Sequence, residues 1–275
     1  AIRRQRQMCI RDRFNNMLIL LLKCYKHHDI IGIDLVERSS LIMNLSSQYI
    51  HGIPSVIWGK KTDKVILAIH GNQSNKSDTP IKVLANLAEK KGYQVLSFDL
   101  PEHGDRKNEP LPCKVQYCVA DLHKMMSYAK EKWSTISLFA NSLGAYFSLL
   151  AFPNEPLEKA LFLSPVVDME RMISNMMSWF NITEKQLESE QNISTPIGQM
   201  LYWDYYCYVK EHPIKSWNIP TYILYGEKDD VCEYDTIETF KNQFGCNLQI
   251  LKNCEHYFHT SEQVSLYESW LKQIL

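Results

Sequence analysis

The sequence predicts a single α/β domain built on a mostly parallel sheet that is covered by helices. Strand-like and helix-like blocks alternate along the chain from about residue 49, and this alternation is typical of parallel strands joined by helical crossovers. The chain has 275 residues, 45% of them hydrophobic, which is enough for an extensive core. No repeat with a period of about 20 to 50 residues occurs, which excludes a repeat architecture. One domain is therefore the simplest interpretation.

The first elements are a strand, a helix and a second strand. Residues 65–70, VILAIH, form a continuous apolar run between a charged segment and Gly71, which is typical of a buried central strand. The apolar residues of 79–93 recur at helical spacing, and Gly92 marks the end of the helix. The run QVLSFD at 94–99 then predicts the second strand.

The alternation continues to the end of the chain. The later predicted elements are a helix over 115–133, a strand over 135–140, a helix over 142–152, strands over 159–165 and 221–226, a helix over 234–244, a strand over 247–251 and a last helix over 261–275. These blocks complete a sheet whose strands are separated in sequence by helices.

One segment, about residues 166–216, interrupts the alternation and offers no clear strand. Its methionine and aromatic residues are Met169, Met172, Met176, Met177, Trp179, Phe180, Met200, Tyr202, Trp203, Tyr205, Tyr206 and Tyr208. A long insertion between two sheet strands is usually functional. We therefore predict a helical cap insertion in this part of the chain.

The N-terminal residues differ in character from the rest. Residues 1–16 are rich in arginine, whereas the rest of the chain prefers lysine. We expect them to be a non-native or disordered tail outside a single domain that spans residues 17–275. Residues 17–25, MLILLLKCY, contain an apolar run that is shorter than a signal peptide or a stable membrane span requires.

Charge and cysteine content narrow the class of partner. Thirty Lys and Arg residues against 31 Asp and Glu residues give a formal net charge of -1, so no overall field attracts nucleic acid or an anionic membrane. The expected partner is a small molecule, and the sequence leaves the oligomeric state open. The eight cysteines are scattered, with no C-x-x-C pair and no zinc-ligand spacing. This pattern indicates free thiols in a cytoplasmic protein that binds no metal.

The stretch FANSLGAYFSLL at 139–150 places Ser142 between a predicted strand and a predicted helix. A nucleophile elbow requires such a turn, with small residues two positions before and after the serine so that strand and helix can pack closely. Ala140 and Gly144 meet this requirement, although the pattern is A-x-S-x-G instead of G-x-S-x-G. The alternative interpretation is an ordinary serine at the start of a helix.

A serine nucleophile needs a histidine base held by a carboxylate, in the chain order Ser, acid, His. Asp229 follows a predicted strand within LYGEKDDV, and His256 lies between the last strand and the last helix within LKNCEHYFH. Asp230 is the rival acid and His259 is the rival base. A metal site at the two histidines is disfavoured because no third ligand and no H-E-x-x-H string accompany them.

Acyl transfer also needs backbone donors for the negative charge that develops on the carbonyl oxygen. The string HGNQS at 70–74 begins at the end of the first predicted strand, and a His-Gly-x string in that loop is a recurrent oxyanion-hole element. The predicted donors are the main-chain N–H groups of Asn72 and of Leu143, the residue after the nucleophile. His70 is then expected to pack against the loop and orient it.

Five strings resemble motifs of the α/β-hydrolase superfamily over roughly residues 50 to 275. HGN, FDLPEHGDR, ANSLGA, LYGEKDD and CEHYFH resemble its oxyanion loop, its Asp-x-Pro-x-His-Gly turn, its elbow, its acid turn and its histidine loop. The insertion and short elbow are most similar to those of serine hydrolases grouped with the monoacylglycerol lipases and the proline-aminopeptidase-like clan. The resemblance implies a Ser-His-Asp hydrolase without a cofactor and structural roles for His103 and Gly104, and the breadth of the superfamily leaves the substrate open.

The leading functional interpretation is a hydrolase that cleaves the carboxylic ester of a small or lipid-like substrate through an acyl-enzyme on Ser142. The same triad suits a thioesterase or an aminopeptidase, and a non-catalytic hydrolase-like binding protein is the alternative from another class. The sequence contains neither a phosphate-loop motif nor a dinucleotide-binding motif. The methionine- and aromatic-rich segment either binds an apolar acyl group over Ser142 or forms only its own core.

Overall fold

The computed structural model describes residues 44–275, so the expectations for residues 1–16 and 17–25 lie outside the described residues. The strands of the described part are β1 Leu45–Ile50, β2 Ile53–Trp58, β3 Lys64–Ile69, β4 Gln94–Phe98, β5 Thr135–Asn141, β6 Ala160–Leu163, β7 Asn192–Ser194, β8 Met200–Tyr202, β9 Thr221–Gly226 and β10 Asn247–Leu251. Its α-helices are α1 Thr79–Lys90, α2 Val115–Lys132, α3 Leu143–Ala151, α4 Met169–Trp179, α5 Glu184–Glu190, α6 Trp203–Glu211, α7 Tyr234–Phe244 and α8 Ser261–Ile274.

The larger of two compact units, residues 44–168 and 214–275, contains an eight-stranded sheet. Its strand order is β1-β2-β4-β3-β5-β6-β9-β10. The pairings of β2 with β1 and with β4 are antiparallel, and the other pairings in the sheet are parallel. The mostly parallel sheet of the sequence prediction is thus confirmed. Parallel strands end at a common edge, where the loops that follow them can assemble a site.

The central strands and the helices beside them form the core of this unit. All residues from Val65 to Ile69 in β3 are fully buried. Helix α1 buries Ile81 and Leu84, which lie on one face because helical neighbours are three or four residues apart. The Asp78 side chain accepts a hydrogen bond from the Ile81 N–H and fixes the start of the helix. Gly92, at φ 79°, follows the helix at the predicted position.

The hairpin of β1 and β2 is not among the predicted elements. The two strands pair from Leu45 with Trp58 to Ile50 with Ile53. Their two-residue turn, His51 and Gly52, has φ values of 50° and 80°, as a type I′ hairpin turn requires. The His-Gly dipeptide between two strand-forming runs is the local signal that could have predicted this hairpin.

The smaller unit is described over residues 169–213. It contains α4, α5 and α6, with α4 packed against α6, and an antiparallel pair formed by β7 and β8. The Tyr206 hydroxyl donates a hydrogen bond of 2.9 Å to Glu184 Oε1 and so joins α6 to α5. The insertion is helical, as predicted. The two short strands are additional, because three residues are too few to give a periodic signal.

Candidate active site

Ser142 lies in a strained turn between β5 and α3. Its φ and ψ are 50° and -116°, a conformation that a residue with a side chain adopts only when its surroundings impose it. Gly144 explains why the turn needs a small residue. A Cβ at this position would lie 2.6 Å from the His70 carbonyl oxygen and 2.8 Å from Cγ2 of Ile69. The strand and the helix therefore pack as closely as a nucleophile elbow requires.

Backbone hydrogen bonds hold the strained residue from both sides. The Ser142 N–H donates to the Leu163 carbonyl at the end of β6, at 3.0 Å. The Ser142 carbonyl accepts from the N–H groups of Ala145 and Val166, at 3.1 and 3.0 Å. These bonds join the elbow to the neighbouring strand and to the segment after it, so the position of the serine hydroxyl is determined by the sheet.

His256 lies between Ser142 and Asp229. Its Nε2 is 2.9 Å from Ser142 Oγ, and its Nδ1 is 2.8 Å from Asp229 Oδ2. The imidazole is almost completely buried, with 2% of its side-chain surface exposed. Gly226 at the end of β9 allows this approach, because a Cβ there would lie 2.5 Å from the Cys254 carbonyl oxygen in the histidine loop. Nδ1–H donates to the carboxylate, which leaves Nε2 to accept the serine proton.

The Asp229 carboxylate is fixed by its own turn. Oδ1 accepts hydrogen bonds from the N–H groups of Val231 and Cys232, at 3.0 and 2.8 Å. Oδ2 is left for His256, and the side chain is 0% exposed. Asp230, the rival acid, is exposed to solvent. The structure therefore brings Asp229 to the imidazole, since adjacent residues after a strand direct their side chains differently.

His259, the rival base, occupies a different environment. More than half of its side chain is exposed, at 56%. Its Nδ1 donates a hydrogen bond of 2.7 Å to the Tyr257 carbonyl, and the nearest carboxylate oxygen, Glu255 Oε2, is 3.8 Å away. The His259 ring is thus hydrogen-bonded within its own loop at the protein surface.

The loop after β3 runs directly beside the elbow. A Cβ on Gly71 would lie 3.1 Å from Ser142 Cβ and 3.3 Å from the Asn141 carbonyl oxygen, so this backbone approaches the serine closely. Asn72 follows Gly71, and its Oδ1 lies 3.2 Å from Nε2 of His103. Leu143 is the first residue of α3, and the N–H groups of a first helical turn have no acceptor within the helix. The two predicted oxyanion donors therefore belong to backbone segments adjacent to Ser142.

His70 is a buried, neutral part of this loop. Burial, followed by the charge of the neighbouring His103, lowers the pKa of His70 to about 3. Its Nδ1 donates to the Gly71 carbonyl at 2.7 Å, and its Nε2 accepts from the Leu100 N–H at 3.0 Å. These contacts tie the loop to the segment after β4, and they fit the expected orienting role.

A buried ion pair that the sequence analysis does not predict anchors the other end of the loop. Asp99, fully buried at the end of β4, accepts hydrogen bonds from the Lys76 N–H and Nζ at 2.8 and 2.6 Å and from the Asp105 N–H at 2.9 Å. Burial opposes the charge of Lys76, but Asp105 and Asp99 raise its pKa overall. Gly104 lies against the Asp99 carboxylate, where any Cβ would collide with it. The Asp-x-Pro-x-His-Gly string is the sequence signal for this arrangement.

Within residues 44–275, one group of potential metal ligands comes together: Asp229, Cys232 and His256, whose ligand atoms lie within 4.8 Å of one another. Asp229 and His256 already share a hydrogen bond. Burial, and then the charge of Asp229, raises the pKa of the Cys232 thiol well above its usual range, so its sulfur is protonated at neutral pH. The chemistry of this donor set favours a hydrogen-bonded triad over metal binding.

Ser142, His256 and Asp229 are thus connected by two consecutive hydrogen bonds. The hydroxyl oxygen of Ser142 is within hydrogen-bond distance of an imidazole nitrogen whose other nitrogen is bound to a buried carboxylate. Such an arrangement can accept a proton from the serine as it attacks an electrophilic carbon.

Comparisons with known proteins give a result at the level of the fold. No protein-family profile matches the sequence, and no curated protein sequence matches it significantly. Among solved structures, Est1E from Butyrivibrio proteoclasticus with ferulic acid bound is similar at a TM-score of 0.68 and 16% identity, over 83% of this chain and 97% of that chain. Alpha/beta hydrolase domain-containing protein 10 from mouse has a TM-score of 0.68 and 14% identity, over 84% of this chain and 97% of that chain. An esterase from Pyrococcus furiosus has a TM-score of 0.63 and 15% identity, over 90% of this chain and 95% of that chain.

These likenesses confirm the predicted α/β-hydrolase fold. At such low identities they establish the architecture of the chain, and its chemistry has to be argued from its own residues. None of the helices in residues 44–275 has the length and apolar character that a membrane crossing requires.

Proposed function

We propose that this chain is a serine hydrolase that cleaves carboxylic esters through an acyl-enzyme on Ser142. The observation that carries the proposal is the chain of hydrogen bonds from Ser142 Oγ through His256 to Asp229, at 2.9 and 2.8 Å. The strained elbow supports the same role, because backbone strain at a polar residue is typical of a functional position. The fold likeness to an esterase from Pyrococcus furiosus is consistent with this class of reaction.

In the proposed reaction, Ser142 Oγ attacks the ester carbonyl while His256 Nε2 takes its proton. Asp229 stabilises the resulting imidazolium, and the N–H groups of Asn72 and Leu143 donate to the developing oxyanion. The leaving alcohol departs with the proton from His256. A water molecule then attacks the acyl-enzyme by the same route, which releases the carboxylic acid and restores the serine.

The oxyanion donors are the largest electrostatic contribution that we expect. The removal of one such donor typically raises the barrier by about 2.7 to 4 kcal/mol. Both proposed donors are main-chain groups, and Gly71 beside one of them leaves no room for a larger residue without displacement of the loop or the elbow. The anchors at His70 and Asp99 therefore serve the proposed site by keeping the loop in place.

A small or lipid-like acyl group is the substrate class that we propose. The methionine and aromatic content of residues 168–208 favours an apolar group, since unbranched methionine suits a surface that binds varied chains. A buried acyl chain should gain up to about 0.8 kcal/mol per added methylene, roughly fourfold in kcat/KM, until the site is full. A series of p-nitrophenyl esters from acetate to decanoate measures this directly. A steady fall from acetate onward would leave only a short-acyl site.

The class of hydrolase is tested by labelling and by a panel of substrates. A fluorophosphonate should modify Ser142, and the Ser142→Ala variant should lose both the label and the ester hydrolysis. Ser164→Ala is a matched control, because Ser164 also follows a strand and has a positive φ of 43°. Thioesters and aminoacyl amides assayed beside the esters separate the thioesterase and aminopeptidase alternatives. A folded protein that takes no label and hydrolyses none of these substrates would be a binding protein.

A further inference from the structure

Two cysteines lie beside each other at the start of α2. The sulfur atoms of Cys113 and Cys118, the cysteine pair, are 3.6 Å apart. Cys113 precedes the helix and is half-buried, and Cys118 lies within the helix and is buried. A disulfide has a sulfur–sulfur distance of about 2.05 Å, so an approach of roughly 1.5 Å would join the two sulfurs.

We propose that the cysteine pair is a peroxide-reactive dithiol site, in which Cys113 is the nucleophile and Cys118 is the resolving thiol that closes an intramolecular disulfide. The proposal does not depend on the function proposed for Ser142. It is carried by the proximity of the two sulfurs and by the groups that surround Cys113.

The surroundings of Cys113 stabilise a thiolate. The Cys118 thiol donates a hydrogen bond to the Cys113 sulfur, and the His103 side chain lies next to the same sulfur. The bond from Cys118 and the neighbouring His103 outweigh burial and lower the pKa of Cys113 to about 6. The adjacent start of the 18-residue helix α2 adds a positive dipole end. The nearest opposing group is Glu102, whose Oε2 accepts from the Cys113 N–H at 2.7 Å.

Cys118 has the complementary properties. Burial, followed by its hydrogen bond to Cys113, raises the pKa of the Cys118 thiol well above its usual range. It therefore stays protonated at neutral pH and is shielded from direct attack by an oxidant in solution. These properties favour Cys113 as the thiol that reacts first with the peroxide, and Cys118, 3.6 Å away, is placed to react with the oxidised Cys113.

The other described cysteines lack such surroundings. Burial raises the pKa of the thiols of Cys232, Cys246 and Cys254. Cys207 is half-buried like Cys113, but desolvation raises its pKa as well. Among the cysteines in residues 44–275, Cys113 is thus the one whose pKa is lowered, and Cys207 is its natural internal control.

The proposed step needs a hydroperoxide as oxidant. The Cys113 thiolate attacks the terminal peroxide oxygen, the O–O bond breaks, and the alkoxide leaves as an alcohol, or as water from hydrogen peroxide, after it takes up a proton. The Cys118 sulfur then attacks the Cys113 sulfenic acid, the S–O bond breaks, and the hydroxide leaves as water with the Cys118 proton. The two thiols lose two electrons and two hydrogens, and the peroxide gains them.

The first test uses the unaltered protein. Iodoacetamide alkylation is followed by peptide mass spectrometry at each cysteine between pH 5 and 8. The rate at Cys113 should change less than about twofold between pH 8 and 7, because its thiolate is already formed, and the rate at Cys207 should fall about tenfold. A tenfold fall at both cysteines would overturn the proposal.

The second test follows the disulfide itself. After treatment with a small excess of hydrogen peroxide, the Cys113–Cys118 peptides should be found linked with the loss of two hydrogen atoms. In Cys118→Ser the sulfenic acid should persist on Cys113 and be captured by dimedone, and Cys207→Ser should behave as the unaltered protein does. The proposal fails if Cys113 and Cys118 remain thiols while Cys207 is oxidised. Neither test measures ester hydrolysis. Failure of the proposal for the cysteine pair is therefore distinguishable from failure of the function proposed for Ser142.

Discussion

Within residues 44–275, the structure places a histidine beside each of the two proposed nucleophiles, Ser142 and Cys113, and the two histidines differ in the group that they contact on their other side. His256, beside Ser142, donates its Nδ1–H to the buried carboxylate of Asp229 at 2.8 Å. His103, beside Cys113, donates its Nδ1–H to the Pro101 carbonyl at 2.7 Å. A serine hydroxyl must lose its proton during the reaction and needs a base supported by a negative charge. A thiol is far more acidic, with an ordinary pKa of about 8.5, and hydrogen-bond donors or a helix N-terminus can lower that pKa to near neutral.

The two nucleophiles also differ in how they are held. Ser142 lies in a strained elbow that backbone bonds to the adjacent strand keep in place. Cys113 lies in an irregular segment before α2 and faces a second sulfur. The first arrangement favours acyl transfer to a fixed oxygen, and the second favours formation of a bond between two sulfurs. From this difference we expect that a nearby histidine alone does not define the chemistry of a nucleophile.

The largest loss of activity is expected when the side chain of Ser142 or of His256 is replaced by alanine. We expect Ser142→Ala or His256→Ala to lower kcat for a p-nitrophenyl ester by about 10⁶-fold, because each removes the nucleophile or its base. The Ser164→Ala control should stay near the original rate. Circular dichroism checks that each variant is folded. A loss of kcat below about tenfold in both Ser142→Ala and His256→Ala would contradict the roles of nucleophile and base that we propose for these residues.

A smaller loss is expected when only the charge behind His256 is removed. Asp229→Asn keeps the shape of the side chain but removes the negative charge. The carboxylate no longer holds His256 in the tautomer with its proton on Nδ1, so kcat should fall about 10⁴-fold. Asp230→Asn, in the exposed neighbour, should change kcat little. Steady-state kinetics on one ester compare the two. The reverse ranking would assign the acid to Asp230.

An exchange at the second histidine should alter thiol chemistry. In His103→Gln the Cys113 thiolate loses its imidazole partner, which raises the pKa of the thiol. The rate of Cys113 alkylation at pH 7 should then fall by up to about tenfold. His259→Gln, an exposed histidine far along the chain, is the matched control. An unchanged Cys113 rate in His103→Gln would show that the imidazole does not contribute to thiol reactivity.

The smallest expected effect is that of Cys113 oxidation on the labelling of Ser142. His103 Nε2 accepts from the Gln73 N–H at 3.0 Å in the loop that follows Asn72, so loss of the Cys113 thiolate changes the environment of that loop. After peroxide treatment, fluorophosphonate labelling of Ser142 should slow several-fold, below the roughly 10²-fold cost of a lost oxyanion donor. In Cys113→Ser the labelling rate should be insensitive to peroxide. Equal slowing in both proteins would indicate damage elsewhere.

The parallel part of the sheet could be predicted from the sequence because its strands are continuous apolar runs bounded by charged residues or glycine. β3 and β9 begin and end within one residue of the predicted runs. The β1–β2 hairpin was not predicted, since β1 exposes most of its residues and so lacks an apolar run. Propensity and pattern describe buried strands better than edge strands.

In the candidate site, too, some features could be predicted from the sequence and others could not. Ser142, Asp229 and His256 could be proposed from the sequence because each lies within five residues after a predicted strand, and the ends of parallel strands meet at one edge. The Lys76–Asp99 pair and the cysteine pair could not. Their partners lie 23 residues apart in the first case, and in the second the reactivity depends on His103, which only the fold brings to the cysteines.

The central claim is that acyl transfer uses Ser142 and leaves Cys113 unmodified. A rapid mix of the protein with p-nitrophenyl acetate, quenched in acid within the first turnover and mapped by peptide mass spectrometry, measures this directly. We predict a burst of p-nitrophenol and an acetyl group on Ser142, with Cys113 free of acetyl. Turnover with the acetyl group on Cys113, or on another residue while Ser142 stays unmodified, would contradict the account.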